Sequence, residues 1–182
     1  DKKYTASSIS RHISSLKSFF KYLTKNEFIK DNPCLLITNP KVEKKLPNYI
    51  NYNDLEILFT VPNKNDVLGL RNLLILELLY SCGIRVSELV NIKISDIDFS
   101  NKRILILGKG KKERFVLYGK VCSKLLDEYL IKSRSKLNKN NEYLLLNKFG
   151  NKITDRAIRM IIDDIVKKSS LKLNISPHTL RH

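Results

Sequence analysis

"GLRNLLILELLYSCGIRVSELVNIKISDID", residues 69–98, decides how this chain folds. Its first thirteen residues, 69–81, are almost wholly apolar, with no polar face left for solvent. That pattern predicts a helix buried on most of its sides. Gly83 then breaks the helix. "VSELVNI" reads as a second, short helix, and "SDIDF" as polar and turn-like. An arginine, Arg85, therefore stands at the junction of a buried helix and a glycine turn. Its backbone is fixed there, so its guanidinium can be held rigidly.

Outward from that core, the downstream sequence alternates in period and type. "RILIL" (103–107) and "RFVLY" (114–118) are β-rich runs separated by "GKGKKE", which predicts a hairpin with lysines at its tip. Residues 120–135 carry Val121, Leu125, Leu126, Tyr129 and Leu130 on one helical stripe. "YLLLN" reads as a short buried segment. Thr154 caps a predicted helix over 155–168, with Ile158, Ile161, Ile162 and Ile165 inward and Arg156, Arg159 and Asp163 on another face. Upstream, "NDLEIL" predicts a helix start with Asn53 as cap and Glu56 closing a capping box. Tyr80 and Cys82 read as core. Before that, residues 39–51, with two prolines and little apolar content, read as a linker. Residues 7–24 form an amphipathic pattern, with Ile9, Ile13, Leu16, Phe20 and Leu23 on one stripe. This helix and a short follow-on over about 26–38 have too little partner surface to bury that stripe alone. The fold class is mainly α with a small antiparallel β-sheet.

Charge narrows the function. Lys and Arg number 34 against 18 Asp and Glu, a net of +16 spread along the chain, with a pI near 9.8. Such a surplus points to a polyanion, nucleic acid first, with a Lys-rich surface of no special function as the plain alternative. Cys34, Cys82 and Cys122 lie far apart without metal-ligand spacing, so neither a zinc site nor a disulfide framework is expected, and a reducing cytoplasm fits. No apolar run has transmembrane length and no signal peptide is visible. The carboxylates are too scattered for a metal-dependent nuclease. Phosphate chemistry would then fall to the protein's own cations. Arginines fork onto phosphate oxygens, and a lysine or histidine manages protons on the attacking and leaving oxygens. Arg85, Lys109 between two glycines, and His178 with Arg181 at i and i+3 are the candidates. Each has a plainer role open to it: Arg85 pairing with Glu88, Lys109 in a solvated turn, His178 as a hydrogen-bonded structural residue.

Together "CGIRVSELVNIKISDID", "GKGKKERFV" and "SPHTLRH" resemble three successive boxes of the tyrosine recombinases, the Xer-type and phage-integrase family, in order and spacing. The stripe "SSISRHISSLKSFFKYL", with the proline-containing segment after it, resembles the end of that family's helical core-binding domain. The resemblance covers about residues 7–182. It implies residues 1–38 as the C-terminal part of a helical, SAM-like, DNA-clamping domain, 39–51 as linker, and 52–182 as catalytic domain. It also implies attack of a tyrosine on DNA phosphate, a 3′-phosphotyrosyl intermediate and a free 5′-hydroxyl, without metal or cofactor. Arg85 and Arg181 would clamp the phosphate, Lys109 would protonate the 5′-oxygen, and His178 would assist at the nucleophile. Glu88 and His182 would support the site from behind.

For DNA positioning the sequence offers Arg11, Lys17 and Lys21 on the first helix, Lys111, Lys112 and Arg114 at the hairpin, and Arg156 and Arg159 on the 155–168 helix. A solvated face, or an Arg159–Asp163 pair, is the alternative there. The expected partners are double-stranded DNA and further subunits, as a homo- or hetero-tetramer on two sites, in the cytoplasm and away from membranes. All eight tyrosines precede the His-x-x-Arg box, the chain opens on Asp1, and its one Met is Met160. The expectation from sequence is therefore a fragment that binds DNA and does not cleave it alone. A non-catalytic integrase-like accessory protein and a type IB topoisomerase are the rival readings.

Overall fold

The computed structural model describes residues 4–42, 50–108, 110, 112–137, 140–171 and 175–181; the side chains of His178 and Arg181 lie outside that description. The chain divides into two compact units, Asp1–Leu46 and Pro47–His182.

In the first unit, α1 (Ala6–Lys25) starts at Thr5, whose Oγ1 accepts a hydrogen bond from Ser8 N–H. It stops where Glu27 takes a left-handed conformation (φ 59°) and Phe28 N–H donates back to the Leu23 carbonyl. Of the expected apolar stripe, Ile13, Phe20 and Leu23 are half-buried while Ile9 and Leu16 are exposed, as are Phe19 and Tyr22 beside it, and no residue of α1 is fully buried. The follow-on segment is a series of turns, with Cys34 its buried residue.

The second unit is built on α3 (Val67–Ser81). Asp66 caps it through its carboxylate to Gly69 N–H, and every residue from Leu73 to Leu79 is buried. Gly69 is required by close approach: a Cβ there would stand 2.1 Å from the Asn63 carbonyl oxygen. Gly69→Ala must therefore displace backbone, and is expected to lower unfolding free energy by about 1–3 kcal/mol in urea denaturation. Ahead of α3 lies α2 (Tyr52–Thr60). Its cap is Asn51, which accepts from Asp54 N–H, and not Asn53, which lies inside the helix.

After α3 come α4 (Val86–Leu89) and a 3₁₀ turn (Ile94–Asp96). A three-stranded antiparallel sheet follows: β1 (Ile97–Asp98), β2 (Arg103–Leu107) and β3 (Glu113–Leu117), in the order β1-β2-β3. The short β1 lies where the sequence reads as a turn. Two residues are too few to show an alternating pattern, so the strand exists through its pairing with Ile104 and Arg103. In β2, Ile104 and Ile106 are buried against the core while Leu105 and Leu107 are not.

The 120–135 helix has three parts: α5 (Lys120–Glu128), a π-helical stretch (Tyr129–Arg134) and α6 (Ser135–Leu137). The widened turn lets Ser133 Oγ donate to the Val67 carbonyl at 2.6 Å on α3. Helix α7 (Asp155–Lys168) runs as the sequence indicates from its Thr154 cap, with Ile158, Ile162 and Ile165 buried. The chain then reaches α8 (Pro177–Arg181), which packs on α3 through the buried Leu180. Tyr80, expected in the core, is 45% exposed and meets Phe59 edge-on at the end of α3. Cys82 is half-buried against the core. Among the described residues no helix is long and apolar enough to cross a membrane.

Candidate active site

Arg85 is the N-cap of α4, and its neighbours Ile84 and Val86 are both buried. Its carbonyl accepts from Glu88 N–H at 2.9 Å and Leu89 N–H at 2.8 Å. Its own N–H donates to Glu88 Oε2 at 2.9 Å. A capping interaction of this kind satisfies backbone groups that the first helical turn leaves open. Core packing therefore fixes the Arg85 backbone, yet the side chain remains 52% exposed. One terminal nitrogen, Nη1, donates to Glu88 Oε1 at 3.1 Å.

Glu88 is the centre of the arrangement. Its side chain is only 4% exposed, and it takes four hydrogen bonds, two from Arg85 and two from Arg114. Arg114 forks onto it, Nη1 to Oε1 at 2.9 Å and Nη2 to Oε2 at 2.8 Å. The Arg114 fork, first, and the Arg85 donors hold the carboxyl down at about 2 against the opposing effect of burial. Glu88 is thus ionised at any physiological pH and neutralises part of two guanidinium charges. The trio keeps a net single positive charge beside an open face, which suits an anionic ligand.

The sequence groups Arg114 with the hairpin lysines as a phosphate contact; in the structure its two terminal nitrogens fork onto Glu88, and its side chain is 37% exposed. The strand register explains why: Arg114 pairs with the buried Ile106, on the inward face of the hairpin, whereas the exposed Phe115 and Leu117 alternate outward. The signal was present in the sequence. A strand whose inward positions are Arg114, Val116 and Tyr118 puts a charge inside, and such a charge needs a carboxylate.

The hairpin closes over the same carboxylate. Gly108 N–H donates to the Lys112 carbonyl at 2.8 Å, and a Cβ at Gly108 would lie 3.4 Å from Arg114 Nη1 and 3.7 Å from Glu88 Oε1. Gly110 has φ +76°, the left-handed conformation that glycine accepts freely. Lys109 and Lys111 lie outside the described residues, as does His182. His178 and Arg181 fall on α8, one helical turn apart. The α8 start is fixed by Ser176 and Thr179, each of whose hydroxyls accepts from the other's backbone N–H, at 3.3 and 3.2 Å. The structure therefore gathers Arg85, Glu88, Arg114 and the root of the hairpin into one contact cluster, and it roots α8 on the helix that leads to Arg85.

The basic helix residues stand apart from this cluster. Arg156 and Arg159 are exposed on α7, and Arg159 makes no ion pair with Asp163; the pair on that helix is Asp164 with Lys168, 2.7 Å apart. In the first unit Arg11 and Lys21 are exposed and Lys17 is partly so. Among the described residues no group of three or more His, Cys, Asp or Glu side chains comes together to hold a metal ion.

The XerC tyrosine recombinase of Staphylococcus saprophyticus is 43% identical over 182 residues, which is all of this chain and 61% of the relative. Among solved structures, XerA recombinase superposes with a TM-score of 0.68 at 29% identity, over 100% of this chain and 61% of that one. The XerH site-specific recombinase bound to its palindromic difH substrate gives a TM-score of 0.75 at 26% identity, over 100% of this chain and 53% of that one. The chain thus spans about three fifths of the length of the curated relative. The family model described as the phage integrase family matches residues 48–182, nearly the whole second unit, and the chain belongs to that family.

Proposed function

We propose that the protein is a Xer-like site-specific DNA recombinase that cuts and rejoins strands through a 3′-phosphotyrosyl intermediate. The observation that supports this most is Arg85: a guanidinium on a rigid backbone, oriented by a buried and permanently ionised carboxylate, with half of its surface open to a ligand. A fixed cation of this kind stabilises charge that develops on a phosphoryl oxygen during transfer. Arg181 is the second arm of the clamp, Lys109 the acid for the 5′-oxygen, and His178 the proton-transfer partner at the nucleophile. Glu88 and His182 support them. The energy of the broken phosphodiester is kept in the protein–DNA link, so religation needs no metal or high-energy cofactor.

The 182 residues contain no tyrosine after Tyr143, so we assign the nucleophile to none of them. The chain by itself is expected to bind DNA without cutting it. Residues 1–38 serve as part of a clamping domain, 39–51 as linker and 52–182 as the catalytic domain. Arg11, Lys17, Lys21, Lys111, Lys112, Arg156 and Arg159 contact the DNA backbone, and the working assembly is a tetramer on two duplex sites.

The test uses the full-length gene product. It is expressed with genomic DNA, trapped by rapid denaturation, and the covalently attached DNA is sequenced. A single short site enriched among the attached fragments is the expected result. Attachment without site preference, with relaxation of supercoiled plasmid, would move the reading to a type IB topoisomerase. Binding without any attached DNA would make it an accessory binding protein.

A further inference from the structure

Arg114 stands on the inward face of its strand, its side chain 37% exposed. Its strand places it beside buried Ile106, its fork occupies both oxygens of Glu88, and the hairpin root at Gly108 rests against it. Removing it would have three physical consequences. Glu88 would lose the largest influence holding its carboxyl low, while burial would continue to push that carboxyl up. Whatever negative charge remained would fall on Arg85 alone, drawing that guanidinium inward and reducing the positive potential it offers outward. The hairpin would also lose its tie to α4, because Arg114 is the β3 residue that binds Glu88.

From this geometry we propose that Arg114 is a positioning residue for the phosphate site, acting through Glu88 on the Arg85 guanidinium and on the root of the Lys109 hairpin, and not a contact to DNA. The fork neutralises Glu88, so that Arg85 is oriented by a single Nη1 contact without being quenched by it. Lysine in place of Arg114 would supply the charge but not the planar two-point grip. The proposal rests on the recombinase reading for its effect on rate, and on the cluster geometry alone for its effect on Glu88.

The experiment compares full-length wild type with Arg114→Met and Arg114→Lys. Binding to the recovered target duplex is measured across salt. The rate of covalent-complex formation on a nicked duplex is measured between about pH 5 and 8. The Glu88 carboxyl is followed by carbon-13 NMR. For Arg114→Met, affinity and salt slope should stay unchanged while the rate falls about 10- to 100-fold, as for other residues that orient a reacting group from behind. The variant should also gain an acid limb that wild type lacks, because its Glu88 titrates above the low wild-type value. Arg114→Lys should return most of the Glu88 titration to wild type and only part of the rate. A drop in affinity with a salt slope lower by about one would show a phosphate contact and overturn the proposal. So would wild-type rates across pH, or a Glu88 titration indifferent to residue 114. If wild type forms no covalent complex, the recombinase reading falls, and the NMR titration alone decides the Arg114–Glu88–Arg85 link.

Discussion

Arg85→Ala in the full-length protein should reduce covalent-complex formation by about 10³-fold or more while leaving DNA binding at low salt nearly intact. The magnitude follows from what a preorganised cation does at a transferring phosphoryl group, where loss of one fixed charge costs roughly 10³ to 10⁵ in rate. Binding survives because it draws on many lysines and arginines of a chain with a net charge of +16. The fold survives because Glu88 keeps its two-point grip from Arg114 when the Arg85 side chain is gone. Arg85 caps α4 through its backbone, which alanine retains. Arg181→Ala should behave alike, since the buried Leu180 anchors α8 in the core. The measurement is a time course of protein–DNA adduct on a nicked target. Cleavage by either variant at near wild-type rate would remove that residue from the site. Arg85→Lys should recover only a small part of the rate, because a point charge does not reproduce a fork on two phosphate oxygens.

How much of this was legible beforehand depends on how local each feature is. Helix α7 was readable from Thr154 to Lys168 because its period, cap and basic last turn all lie within one segment. The same holds for α3, where an apolar run interrupted only by Arg71, Asn72 and Glu77 before Tyr80 has one stable placement, in the core. Strand β1 was not readable, since its two residues become a strand only by pairing with β2. Tyr80 reads as core by its place in an apolar run, but the end of α3 leaves it half outside. Asn51 and Asn53 are equivalent as letters, and only the backbone path decides which begins α2. At the site, Arg85 and Glu88 are three apart on one turn, so their pairing could be read directly. Arg114 reaches Glu88 across 26 positions. Its role was hidden because Lys111, Lys112 and Arg114 look alike as a basic run, and only the phase of the strand separates an inward arginine from lysines at the tip.

The part of the fold that holds α4 from behind offers the largest stability effect. The segment at 141–146 has no regular structure of its own, yet it pairs with the chain that follows α4: Ile94 N–H donates to the Glu142 carbonyl at 3.0 Å, and Leu144 N–H to the Ile92 carbonyl at 2.8 Å. It is held in turn by the π-helical stretch. The Tyr129 hydroxyl, wholly buried, donates to the Leu144 carbonyl at 3.1 Å and accepts from Leu146 N–H at 3.3 Å. Burial raises that hydroxyl to about 12, so it stays protonated and able to do both. Arg134 binds the Asn141, Tyr143 and Leu144 carbonyls from the same stretch, and Arg71 of α3 binds the Leu146 carbonyl. Tyr129→Ala would open a cavity the size of a phenol ring and leave Leu146 N–H without its partner. A loss of about 4 kcal/mol in urea unfolding is expected, within the range for large aromatic truncations. Tyr129→Phe keeps the ring and loses only the two hydrogen bonds, for about 1–3 kcal/mol. If the phenylalanine variant lost as much as the alanine variant, the hydroxyl would be the main tie between the π-helical stretch and the 141–146 segment. If it lost nothing, ring packing together with the Arg134 and Arg71 hydrogen bonds would be enough to keep the backing of α4 in place.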